Sequence, residues 1–202
     1  GASMNREMAG FMLEHGMESL EMAAKDGGPR ELDAPLVALL DGELTKLEHV
    51  QAVLEEATAF SHPLLIICRG IYGQALQTLV ANDRKLLRQV GPNLEVAATR
   101  VKTRDRHAWM RDLAALTGAT VVPPSKTFDP AWFGGLRKAT LERDRTVLIA
   151  ADDAMDRIES HLASLVTQES QASSSWEAEQ CRRRAAMLSG GLCVLRVGSD
   201  SP

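Results

Sequence analysis

Five histidines, three cysteines and a few adjacent acids are the residues of this chain that could do chemistry, and their spacing suits little of it. His15, His49, His62, His107 and His161 make no HExxH, and Cys68, Cys181 and Cys193 make no CxxC, so neither common zinc pattern is encoded. No metal site is expected. GxxxxGK[ST], GxGxxG and GxSxG are all missing, which removes the phosphate cradle, the dinucleotide fingerprint and the nucleophile elbow. Asp152-Asp153 could suggest paired carboxylates, but adjacent acids opening a helix serve its cap and macrodipole, and Glu55-Glu56 is read the same way. Arg182, Arg183 and Arg184 form the one dense basic run. They fall near a predicted helix end, where cations are favourable, and are expected on a solvated face. No catalytic residue is expected.

Any functional surface must therefore come from the elements themselves. Residues 63–82, PLLIICRGIYGQALQTLVAN, carry an apolar run of strand length with β-branched Ile66 and Ile67. Gly70 and Gly73 punctuate it, and Leu76, Leu79 and Val80 follow at helical spacing. The pattern predicts a buried strand leading into an amphipathic helix. Upstream, Thr45 and Glu48 stand at capping-box spacing, and Leu47, Val50, Leu54 and Ala57 supply one stripe of a helix of roughly four turns ending near Phe60. Residues 94–101 read as a strand, followed by a helix from about Asp105 to Leu116 that Gly118 can stop in the left-handed conformation. Pro123-Pro124 then break regular structure. Residues 136–141 and 146–150 are predicted to pair as a hairpin across 142–145, where Asp144 suits the turn. Asp152 or Asp153 is expected to cap a long helix with Met155, Ile158, Leu162 and Leu165 on one face. After the polar stretch 168–175, Ser174 and Glu177 offer a second capping box. The helix it opens should run antiparallel to its predecessor, through Cys181, Ala185 and Leu188 to a stop at Gly190-Gly191.

A chain of 202 residues with 45% hydrophobic content can bury about two-thirds of its unfolded surface in one core, without a disulfide or metal staple. QESQASSS is too short to divide it, and no repeat of solenoid period occurs. One mixed α/β domain is predicted. The net charge of −4 and pI near 5.8 provide no basic field, so nucleic acid is not an expected partner. No apolar run reaches the roughly 18–20 residues of a membrane span and no secretory signal opens the chain, so no membrane partner is expected either. The odd number of cysteines, two in apolar strand-like runs, suits buried reduced thiols and a cytoplasmic location. Gly1-Ala2-Ser3 ahead of Met4 resembles an expression scar.

Residues 63–82 also resemble the strand-helix unit of the group I chaperonins, the GroEL type, and three further stretches match the family in the same order. GFMLEHG (10–16) is similar to a diverged copy of the Gly-Met-x-Phe-Asp-Arg-Gly segment that enters the family's apical domain. RDRHAWMRDLAALTGATVV (104–122) resembles its helix, Leu-Thr-Gly-Gly turn and strand, and AAMLSGGLCVLRVG (185–198) resembles the hinge segment that leaves it. The resemblance implies an α/β apical domain over residues 10–191, a β-sandwich flanked by helices in three layers. Residues 4–9 would be an N-terminal flank, residues 192–202 the start of the return to an intermediate domain, and Gly10, Gly190 and Gly191 the hinge. It implies a molecular chaperone that captures non-native or dedicated client polypeptide, and a GroES-like co-chaperonin, in an apolar groove between two helices. The first helix would contribute Val50, Gln51 and Leu54, the second Leu76, Val80 and Ala81, and the segment after Gly16 Met17, Ser19 and Met22. Other subunits of a homo-oligomeric ring would be partners of the full-length parent. Nothing here resembles the family's ATP site or its catalytic Asp. No cofactor and no enzymatic activity are therefore expected in this chain; ATP and Mg belong to a missing equatorial domain, and the ATPase to the full-length protein.

Several positions depart from the family pattern. MESLEM, with Met17, Glu21 and Met22, stands where tyrosines and a phenylalanine are usual, Gln51 replaces a leucine, and Ala81 a valine. His15 stands where the family carries an arginine used between subunits. Residues 83–93 look like an insertion, and the loop after Val101 is shorter and more basic, with Lys102, Arg104 and Arg106. The groove should be less aromatic and more polar, with adaptable methionines, as in a specialised paralogue. Periodicity alone leaves Leu54, Leu76 and Val80 free to face inward. The resemblance places Leu54 and Val80 partly exposed and facing one another, with Leu47, Leu79 and residues 64–67 in the core. The alternative is a stand-alone adaptor for one folded partner, in which Gln51 and Glu21 set specificity.

Overall fold

The computed structural model describes residues 6–7, 9–83, 94–101, 105–194 and 196–197; the expected insertion beyond Asp83 and the basic loop at 102–104 lie outside them. Strands β1 (Arg6–Glu7) and β2 (Gly10–Leu13) come first, with Phe11 and Leu13 buried on either side of exposed Met12. A single 3-10 turn at Leu20–Met22 precedes β3 (Arg30–Asp33), β4 (Leu36–Leu40) and β5 (Glu43–Leu44). Helices and strands then alternate through α1 (Glu48–Ala57), β6 (Leu64–Cys68), β7 (Gly70–Ile71), α2 (Gly73–Asn82), β8 (Val96–Arg100), α3 (Arg106–Thr117) and β9 (Val121–Val122). Strands β10 (Gly134–Gly135), β11 (Lys138–Leu141) and β12 (Thr146–Ile149) lead to α4 (Met155–Ser170), α5 (Ser175–Val194) and β13 (Arg196–Val197).

Strands β4, β6 and β8 are parallel neighbours separated in sequence by α1 and α2, so two successive β-α-β units lay these helices side by side. All five residues of β6 are buried, as a central strand covered on both faces requires. At the other edge, β10 runs antiparallel and β9 parallel to β4. The second sheet is antiparallel, in the order β2-β12-β11-β3, and its Leu32, Leu141 and Leu148 share one apolar cluster with Leu39 and Ile66 of the first. Two sheets on one core with flanking helices make the α/β class that the sequence predicts.

Several local expectations hold. The hairpin forms across 142–145 with Lys138 opposite Ile149 and Leu141 opposite Thr146. The Asp105 carboxylate accepts the Ala108 N–H at the start of α3, and Gly118, at φ +75°, ends the helix in the left-handed region. Ile158 and Leu165 of α4 are fully buried, with Met155 and Leu162 packed beside them. Cys68 and Cys181 are buried free thiols.

Other ends and faces differ. No capping box forms at Thr45. The His49 ring Nδ1 accepts the Thr45 and Lys46 N–H groups at 3.0 and 3.2 Å instead, and α1 runs only from Glu48 to Ala57. Asp152 and Asp153 occupy a 3-10 turn ahead of α4 without capping it, and Asp152 accepts from Arg137. At α5 the Ser174 hydroxyl accepts the Glu177 N–H as expected, while the Glu177 carboxylate reaches Ser173 rather than Ser174. That helix does not stop at Gly190-Gly191 but continues to Val194. Each glycine costs about 1 kcal/mol against alanine, too little to end a helix already docked through buried Cys181, Arg184 and Leu188. Arg184 is the clearest departure from the solvated-face expectation. Its Nε and NH2 fork Asp112 at 2.9 and 2.7 Å, the same carboxylate accepts His161 Nε2 at 2.6 Å, and α3, α4 and α5 are thereby joined. Arg182 does lie in solvent, paired with Glu169 and Glu179.

Candidate functional site

The starts of α1 and α2 are tied level. The Leu47 N–H donates to Gln74 Oε1 at 3.1 Å, and the Ala75 N–H donates to the Thr45 carbonyl at 3.3 Å. Inward faces follow from spacing: Val50, Val53, Leu54 and Ala57 fall at i, i+3, i+4 and i+7 and are buried, as are Ala75 and Leu79 of α2. Left outside are Leu47, 38% exposed, with Gln51, Gln74, Gln77 and Ala81, while Leu76 and Val80 are half-buried against the core.

This arrangement changes several assignments made from sequence. Met17, Met22, Val50 and Leu54 lie in the core beneath the surface rather than on it; Leu54 is only 6% exposed. Leu47, expected in the core, is exposed. The two leucines exchange places because α1 begins one residue later than Leu47, which becomes the N-cap and drops out of the inward stripe. Gln51 and Ala81 are exposed, and Ser19, Leu76 and Val80 are intermediate. Leu79 and residues 64–67 are fully buried, as expected.

The segment after Gly16 reaches the same region by covering the free edge of β8. A side chain at Gly16 would place its Cβ 2.0 Å from the Glu142 carbonyl, so only glycine lets the chain pass here. The Met17 N–H then donates to Glu142 O at 2.9 Å, the Glu18 N–H to Ala98 O at 3.0 Å, and the Ala98 N–H to Met22 Sδ at 3.4 Å. Leu20 projects outward, 62% exposed. Beside it, Asp83 at the end of α2 accepts the Val96 N–H and is forked by Arg30 at 2.8 and 2.7 Å, while Arg30 also donates to the Met22 carbonyl. This buried ion pair pins α2, β3, β8 and the 20–22 turn together. Spacing gave no signal for it, because its partners lie 53 residues apart.

Acids border this surface: Glu21 is exposed beside Leu20, and Glu55 of α1 is exposed and accepts from Gln51 Nε2 at 3.1 Å. Glu18 lies under the segment with its side chain 4% exposed, and burial raises its pKa against the opposing pull of Arg100 and the Ile71 N–H. Arg69 joins Asp41 at 2.6 Å, with His107 3.0 Å from the same carboxylate. Among the described residues no group of three or more His, Cys, Asp or Glu could hold a metal ion, and no helix is long and apolar enough to cross a membrane. What the geometry can do is bind chain by burial.

Chaperonin GroEL 1 of Corynebacterium diphtheriae is 33% identical to this chain over 174 residues, which is 83% of the chain and 31% of that protein. The chain is a GroEL-type chaperonin segment. Chaperonin GroEL 1 of Prochlorococcus marinus is 31% identical over 178 residues, 85% of the chain and 31% of its own length. This GroEL-type segment thus spans about a third of the relatives it matches, 31% in both cases. No family model matches it. Among solved structures, the chaperonin gp146 from the bacteriophage EL superimposes with a TM-score of 0.69 over 92% of this chain and 38% of its own. At 18% identity that likeness speaks for the fold of the GroEL-type segment.

Proposed function

We propose that this segment is the apical domain of a molecular chaperone of the GroEL type, and that it captures non-native polypeptide on the surface formed by α1, α2 and residues 16–22. The observation that carries this reading is a seam of apolar side chains standing outside a closed core: Leu47, Leu76, Val80 and Ala81, with Leu20 on the neighbouring turn. Burial of such side chains contributes about 25 cal/mol per Å² before ordering costs, and it makes little demand on the sequence of the client. Gln51, Gln74 and Gln77 on the rim make the seam more polar than an aliphatic one. In the full-length parent, a GroES-like co-chaperonin and neighbouring ring subunits are the further partners, ATP and Mg bind outside this segment, and the compartment is the cytoplasm. Gly10 and Gly190-Gly191 serve as hinge positions. The antiparallel pairing of Arg6 with Val197 and Glu7 with Arg196 supports a two-strand connection just outside them, since Gly10 itself pairs with Ile149 and Gly190-Gly191 lie within α5.

Fluorescence anisotropy with a permanently unfolded, labelled polypeptide tests the surface. Leu47→Glu and Ala81→Glu should each leave the thermal midpoint within a few degrees and weaken binding by about 1–3 kcal/mol. Unchanged affinity in both variants refutes the assignment. The three exposed glutamines favour one second reading, an adaptor for a single folded partner. Suppressed aggregation of several unrelated proteins supports the chaperone, and of one alone the adaptor.

A further inference from the structure

Away from the α1–α2 surface, an open trough between α3 and α4 collects cations that the fold leaves unpaired. Arg157 donates its Nε to the Ala115 carbonyl at 3.3 Å and His161 donates Nε2 to Asp112 at 2.6 Å, so the two helices pass antiparallel. The Arg157 guanidinium lies over Gly118, where a β-carbon would come 3.1 Å from its Cζ, and its NH1 and NH2 meet no acceptor among the described residues. Arg111 lines the same trough, exposed and without an ion pair among the described residues. Asp112 is neutralised by Arg184, which leaves Asp156 as the acid set against the two arginines. His161 adds the opposite kind of group. A carboxylate only accepts, so in the neutral ring the hydrogen sits on Nε2 and Nδ1 is a bare acceptor. No protein group donates to Nδ1, and it is not among the buried unpartnered atoms, so it opens to the water in the trough.

We propose that this trough binds inorganic phosphate as hydrogen phosphate, with Arg111 and Arg157 on its charged oxygens and its P–OH donating to His161 Nδ1. Guanidinium forks match phosphate oxygens in geometry and charge. An acceptor set between two such cations selects an anion that still carries a hydrogen. Sulfate carries none, and a phosphomonoester, with a second pKa of about 6, has lost its own above neutrality. Ser160 and Ser164, exposed one turn apart on the α4 wall, supply hydroxyls beside the same oxygens. Asp156 opposes the anion and keeps its affinity modest. No covalent bond forms or breaks.

NMR and calorimetry on the chain at pH 8, above the ordinary imidazole range, with sodium phosphate as titrant at constant ionic strength, provide the test. The His161 ring signals and the Arg111 and Arg157 Nε–H signals should move together along one saturable curve. Sulfate and phosphoserine should bind at least about fivefold more weakly, because each leaves Nδ1 without a donor. Arg111→Gln and Arg157→Gln should each weaken phosphate at least about fivefold with an unchanged circular dichroism spectrum. Asp156→Asn should tighten it. His161→Lys, which keeps a donor for Asp112 but offers no acceptor, should abolish the preference for phosphate over sulfate. The site is overturned if phosphate moves these signals only as sodium chloride does, if sulfate or phosphoserine binds as tightly, or if either arginine variant binds phosphate like the parent.

Discussion

Arg30 and Asp83 are both almost fully buried, and each relies on the other to remain there. Removing one partner strands the second charge in the core, so Asp83→Ala should lower stability by about 3–5 kcal/mol in urea denaturation, the scale of a broken buried pair. Replacing both by apolar residues of similar volume should cost far less. Cys68 shows the same burial acting on a neutral group. Its thiol is pushed up from 9.0 to about 12, chiefly by desolvation with Glu18 adding to it. A raised value means the folded state holds the proton. The resulting stability is intact below about 9 and is lost as pH climbs towards 12. At pH 8 a maleimide should label Cys68 only after denaturant is added, and rapid labelling of the native chain would contradict the buried placement.

Elements held by neighbours in sequence were the legible ones. The hairpin across 142–145, the α4 face through Ile158 and Leu165, and the Gly118 stop each depend on residues within one turn or one strand pair, where spacing and steric preference act directly. Gly118→Ala tests the last: a β-carbon at φ +75° would also lie 3.1 Å from the Arg157 guanidinium, and the loss should be about 1–3 kcal/mol by chemical denaturation. Features that depend on a distant partner were not legible. Arg184 looked like a solvated helix cation because Asp112, 72 residues away, is invisible to periodicity. Thr45 looked like a cap because nothing in the spacing showed that His49 would take its amide.

At the scale of the whole molecule, the family resemblance pointed to the α1–α2 surface proposed above but did not tell which side of it each residue faces. Leu47 and Leu54 differ by about two turns of one helix, and the exact start of α1 decides which is outside. Leu54→Glu should accordingly unfold the chain, while Leu47→Glu should melt cooperatively near the parent temperature, as followed by circular dichroism. A last consequence belongs to the paired ends. Residues 6–7 and 196–197 leave the body as neighbouring strands, about 4.8 Å apart. A guest whose entrance and exit lie that close replaces little more than the tip of a hairpin in its host. It adds almost no closure entropy and needs no spacer to fit. Residues 6–197 thus enter and leave through one strand pair, a geometry that suits grafting as one piece at a single hairpin position.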